Sequence, residues 1–226
     1  MRTSVELGPK GKKHAAYAID WPGLERNGRT PEAAFEHMDR YRQRYLPVAE
    51  RAGLAEDYLA EPGSRIALEY EGTPSTDFWG ISFAHSEIDY ESLGAEELER
   101  QLTLLDACWA EFDDIALRVS PELKKGPRGG GRDRDHIVRH VLAGEIDWVK
   151  RLEIRPDLDE IVPPEARQLF RVQIVDAIRD LHAAGENQSR AKGGPFWTHR
   201  FLIRHLAYHV MDHAWEMEDK DTTEPG

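Results

Sequence analysis

Four stretches in the second half of the chain repeat apolar residues at spacings of four and three, and no other pattern restricts the fold as much. Residues so spaced lie along one stripe of an α-helix. The first stripe is Leu98, Leu102, Leu105, Trp109, Phe112, Ala116 and Val119. The second is Ile137, Val141, Gly144, Trp148 and Leu152. A third, Phe170, Ile174, Ala177, Leu181 and Ala184, opens after Pro163-Pro164 and closes near Gly185. The fourth is Leu202, Leu206, His209, His213 and Glu216, with Thr198 placed to cap its start. Four such stripes bury one another only as a bundle, which the sequence predicts from about Leu93 to Asp219.

The chain before residue 90 reads differently. Ser4 to Leu7 and His14 to Trp21 are strand-like and are joined by the turn residues Gly8, Pro9 and Gly11. Thr30-Pro31-Glu32 has the form of a helix start, with Thr30 as cap and Pro31 at the first position. That helix runs toward Gly53, with a kink expected at Pro47. A strand from Arg65 to Tyr70, and another from Phe78 to Ala84, complete a small β-β-α-β unit. The expectation is an α+β protein with an N-terminal module at 1–90 and a four-helix bundle at 91–226.

No apolar run reaches the length of a membrane span, and the N-terminus lacks the apolar core of a signal peptide, so the expected location is the cytoplasm. One cysteine, Cys108, excludes an intramolecular disulfide and any cysteine-rich zinc motif. Beside Trp109 on an apolar stripe, it reads as a small buried hydrophobe. A formal net charge of −12 argues against a nucleic-acid partner, because phosphate backbones are gripped by excess Lys and Arg. The basic, glycine-rich stretch Lys124 to Arg134 reads as a solvated connector.

The chemistry concentrates in the histidines. Of ten, four (His199, His205, His209 and His213) fall in the fourth helix. His209 and His213 are four apart and so present two imidazoles to one point. Both occupy stripe positions where Leu is expected, and an unpaired polar ring in a core costs roughly 1–3 kcal/mol. A metal ion turns that cost into a gain, since neutral imidazole suits zinc, nickel or iron. A third ligand at matching depth is His140 of the second helix. At ~1.5 Å per residue it lies about 12 Å from that helix's start, and the His209–His213 midpoint lies about 12 Å from the fourth helix's end. The three are level only if these two helices run antiparallel. His205 and His136 are read as ordinary polar residues near a wet bundle end. Of the nearby carboxylates, Glu145 and Asp212 are read as solvated charges, while Glu216 continues the inward stripe and is the candidate to orient an imidazole. Tyr208 and Arg204 are placed at the pocket mouth or on the surface.

The strings DHIVRHVLAGEIDWVKRL and PFWTHRFLIRHLAYHVMDHAWEMED together resemble the DinB-like (YfiT-like) metalloprotein family. That resemblance implies an up-down-down-up bundle with a divalent metal on His140, His209 and His213, the metal being zinc or nickel, or else iron or manganese. AYAIDWPGL followed by GRTPEAAFEHM resembles a HicB-like domain. The DinB-like resemblance further implies activation of a small thiol cosubstrate, or of water, against an electrophilic small molecule, as in thiol transferases and hydrolases. Three histidines leave a coordination position open, as in catalytic sites. Two functions stay open: such an enzyme, or a non-enzymatic scaffold that binds metal or a partner through its HicB-like module. A homodimer is compatible with either.

Overall fold

The computed structural model describes residues 1–126, 131–189 and 196–223. Pro127 to Gly130 of the basic connector therefore lie outside the described residues. The fold is mixed α+β. The chain packs as two compact units, one of Met1–Glu111 with Ile203–Met211, the other of Phe112–Leu202 with Asp212–Gly226.

The first unit is built on a four-stranded sheet in the order β3-β2-β1-β4, with β1 Arg2–Leu7, β2 His14–Ala18, β3 Glu25–Gly28 and β4 Arg65–Glu71. β1 pairs antiparallel with β2 (Val5 opposite Ala16) and parallel with β4 (Val5 opposite Glu69). A register shift falls between Thr3 and Ser4. The parallel pairing requires a crossover, supplied by α1 Pro31–Arg40, α2 Arg42–Arg51 and α3 Ala55–Ala60. Thr30 caps α1 as expected, its side chain accepting from the Ala33 amide, and Ala34 and Met38 are buried.

Three details depart from the sequence expectation. β3 carries the polar string ERNG, which has no strand signature, and it pairs on the sheet edge with β2. The helix break falls at Tyr41 and not at Pro47, which lies within α2. Tertiary anchors explain the shift. The Arg26 guanidinium stacks 3.9 Å over the Tyr41 ring, and the Tyr45 hydroxyl donates to the Pro22 carbonyl at 2.7 Å. Finally, Phe78 to Ala84 is not a strand. It begins inside a short helix, α4 Pro74–Trp79, with a Thr73 capping box and a left-handed Gly80 at its end. The signal was the same Thr-Pro start seen at Thr30.

Cys108 is fully buried, its thiol pushed up by burial and aimed at the Pro22 carbonyl at 3.6 Å. It packs against Gly23, whose φ of +99° disfavours any side chain. A Cβ there would lie 3.0 Å from the Cys108 sulfur and 3.1 Å from Met211 Cγ. Gly23→Ala is therefore expected to destabilise the protein by about 2–3 kcal/mol. A denaturant midpoint unchanged from the parent, at constant m-value, would contradict this.

The remaining long helices are α5 Ala95–Arg118, α6 Arg134–Val149, α8 Pro164–Ala183 and α9 His199–Asp219, with the four-residue α7 Leu158–Ile161 between α6 and α8. Two-residue strands β5 Gln188–Ser189 and β6 Trp197–Thr198 pair ahead of α9. α8 opens at Pro164 and is followed by a left-handed Gly185, and Thr198 caps α9 through the Phe201 amide. α9 is buried on nearly every side: Leu202, Leu206, Val210, Met211, Ala214 and Met217 are all inaccessible. No described helix is long and apolar enough to cross a membrane.

Candidate metal centre

α9 is one unbroken helix, so His209 and His213 keep their one-turn spacing and project from a common face. α6 brings in His140, whose ring meets that of His213 edge-on, with centroids 4.8 Å apart. The structure thus gathers His140, His209 and His213, and ligand atoms of the three lie within 4.8 Å of one another. Imidazoles on a tetrahedral ion sit ~2.0–2.1 Å from it, which puts their nitrogens about 3.4 Å apart. Side-chain rotation of about 1 Å per ring closes that gap, and the donor set fits a borderline metal such as zinc.

Two features prepare the rings. The His213 Nδ1–H donates to Glu216 Oε2 at 2.6 Å, and Lys220 Nζ donates to the other oxygen at 2.6 Å. The His213 hydrogen bond, with Lys220, holds the Glu216 carboxyl down at about 2 in spite of burial. A permanent carboxylate on Nδ1 fixes the tautomer that leaves the Nε2 lone pair for a ligand. Burial lowers His140 to about 4, with the neighbouring His213 ring and Arg132 acting in the same direction, so its ring is a neutral donor at neutral pH. His140 keeps access to solvent, and beside it opens a shallow cavity lined by His136, Arg139 and Leu158.

The other expected positions fall elsewhere. Glu145, read as a solvated charge, is fully buried 3.8 Å from Arg171. Arg171 shares Asp113 with Arg167, at 2.7 and 2.6 Å. Arg204, expected at a pocket mouth or on the surface, is buried in the first unit. It donates to the Ser82 hydroxyl, lies 3.2 Å from Asp89 and 3.9 Å from Glu25, and covers the Tyr17 ring. Tyr208 is buried, and so is His205, which lies edge-on to Phe83 at 4.7 Å and not near a wet end. Asp212 is partly exposed. Periodicity missed the Arg204 group because its carboxylates come from β1, β3 and the short 3-10 helix Glu87–Tyr90. The only visible signal was an arginine amid the apolar run FLIRHLAYHV.

Two buried groups outside the centre titrate in opposite senses. Burial lifts Glu25 to about 7, against the pull of Arg204 and the Ser82 hydrogen bonds, while burial, aided by His182, lowers His199 to about 4. The folded chain holds Glu25's proton more tightly than the unfolded chain does, so this group's contribution falls as pH rises from 4.5 to 7. His199 is charged more easily unfolded, so its contribution falls as pH drops from 6.5 to 4. The two nearly offset each other. Relative to the parent, Glu25→Gln is expected to gain stability toward pH 7 and His199→Phe toward pH 4, each by up to about 3 kcal/mol. Melting temperatures of the two variants that track the parent at every pH would refute the assignment.

Compared with family models, with curated proteins and with solved structures, the chain finds no match.

Proposed function

We propose that the protein is a divalent-metal-dependent enzyme of the thiol S-transferase or hydrolase type, holding its metal on His140, His209 and His213. The convergence of three imidazoles from two separate stretches of chain carries this reading. The resemblance of α6 and α9 to the DinB-like family supports it, and by the same resemblance α5, α6, α8 and α9 are an up-down-down-up bundle and the sheet unit is HicB-like.

When bound, a divalent ion with an open position lowers the pKa of a coordinated water or thiol and so supplies a nucleophile near neutral pH. The chain's own residues do the rest. Glu216, anchored by Lys220, orients His213 by accepting from its Nδ1–H, which turns Nε2 toward the ligand position. The suppressed basicity of His140 prevents a proton from competing for its lone pair. The solvent-accessible side, at His136, Arg139 and His140, admits a small molecule.

The direct test is elemental analysis of untagged protein, comparing the parent with His209→Ala. The parent is expected to carry close to one equivalent of divalent metal and the variant far less. Equally low metal in both would end the proposal.

A further inference from the structure

We infer that the second unit carries a binding groove for a small organic anion with an apolar body, placed beside the imidazole of His140. This deepens the metal-enzyme reading by naming a substrate class, and it rests on that reading only for the fate of the ligand once bound.

A cavity of about 470 Å³ opens where the first turns of α6 and α8 meet the end of α5. Its size lies within the range of small-molecule sites. The floor is apolar, made of Leu117, Val138, Val162 and Pro164, and Leu117 is left 77% exposed there. The rim is cationic, with Arg134, Arg139 and Arg167.

Every acidic group facing the cavity is already engaged. Asp113 accepts from both Arg167 and Arg171, and Arg171 also lies 3.8 Å from Glu145, so both carboxylates are held by guanidiniums. Arg167 is buried, and its Nε has no hydrogen-bond partner among the described residues. Arg134 pairs with Asp135 at 2.8 Å and Arg139 with Asp159 at 2.7 Å, but both aspartates are 78% exposed. Such surface pairs are worth only about 0–1 kcal/mol, and a ligand carboxylate can replace either. α6 and α8 both begin here, neither with a side-chain cap, so their first-turn amides add positive potential. An apolar floor under a cationic rim selects a ligand that is greasy and negatively charged. Arg139 and Asp135 also line the neighbouring cavity that contains His140, so an anion held by Arg139 lies next to a ring of the metal centre.

The probe is 2-naphthoate, titrated by its fluorescence into untagged, full-length protein, with 2-naphthylmethanol as the neutral twin and acetate as the anion without an apolar body. Saturable naphthoate binding is expected, with the alcohol at least about tenfold weaker and acetate not detected. The double variant Arg134→Met/Arg139→Met is expected to weaken naphthoate at least about tenfold and leave the alcohol unchanged, while Leu117→Asp weakens both. Both arginines are partly exposed, and melting temperatures check that the variants fold. No saturable naphthoate binding, equal binding of acid and alcohol, or parent-like binding by the double variant would each overturn the inference. The titration is repeated on EDTA-treated protein and on His209→Ala. Binding within twofold of the parent supports the groove, and binding that needs the metal places the anion on the ion and overturns it. Naphthoate binding without any metal in the parent defeats the enzyme reading alone, whereas metal without naphthoate binding defeats the groove alone.

Discussion

Substituting Ala for His213 is expected to lower metal affinity by at least about a hundredfold, the largest functional effect of any single change in this chain. Four-ligand zinc sites are worth roughly 10–16 kcal/mol, so each imidazole supplies on the order of 3 kcal/mol. His213 is the most constrained of the three: 8% exposed, in edge contact with His140, and hydrogen-bonded to Glu216 at 2.6 Å. Glu216→Gln is a milder change. The amide still reaches Nδ1 but no longer enforces the tautomer, and losses of about 10–100-fold follow from outer partners of this kind. Competition against a chromophoric chelator measures both. Parity of His213→Ala with the parent would place the metal elsewhere, and parity of Glu216→Gln would mean that the carboxylate does not orient the ring.

Arg204→Met is expected to be the most damaging change to stability, costing about 4 kcal/mol or more at pH 7. The guanidinium is 5% exposed and sits among Glu6, Glu25 and Asp89, all of them buried. Removing one partner from a buried ionic group typically costs 3–5 kcal/mol because the remaining charge is stranded in low dielectric. Here it would strand several. The same change also deprives Ser82 of the donor that helps hold the 72–91 segment against the sheet, where Ser82 and the Phe83 and Ala84 amides already bond Glu25 and Glu6. Burial already raises Glu6 and Glu25, and without the cation both take up protons more readily. The penalty should therefore shrink at pH 5. Urea denaturation at both pH values checks this, and a pH-independent loss would mean that packing and not charge dominates.

Legibility differed between the two kinds of structure in this chain. The long helices, the Thr30 and Thr198 caps, the Pro164 start and the Gly185 stop were readable because each depends on neighbours within a turn or two. His209 and His213 were readable for the same reason, and His140 could be matched to them because helical rise converts sequence position into depth. β3 and α4 were not anticipated. The ERNG string becomes a strand only because β2 offers it an edge, and the Thr73-Pro74 cap starts a helix that takes in Phe78 and Trp79.

Polar burial was the least accessible property. Glu145 and Arg204 look like solvated charges by composition and helical position, yet both are buried, because each meets an opposite charge from a distant part of the chain. By itself the sequence determined the four long helical stripes, the Thr30 and Thr198 caps and the pairing of His209 with His213, since helical periodicity and capping act over a few residues. Which charges are buried was decided by the tertiary structure alone, because burial depends on Coulombic and packing contacts between residues far apart in the chain, and the depth match of His140 became a meeting of rings only through the packing of α6 beside α9.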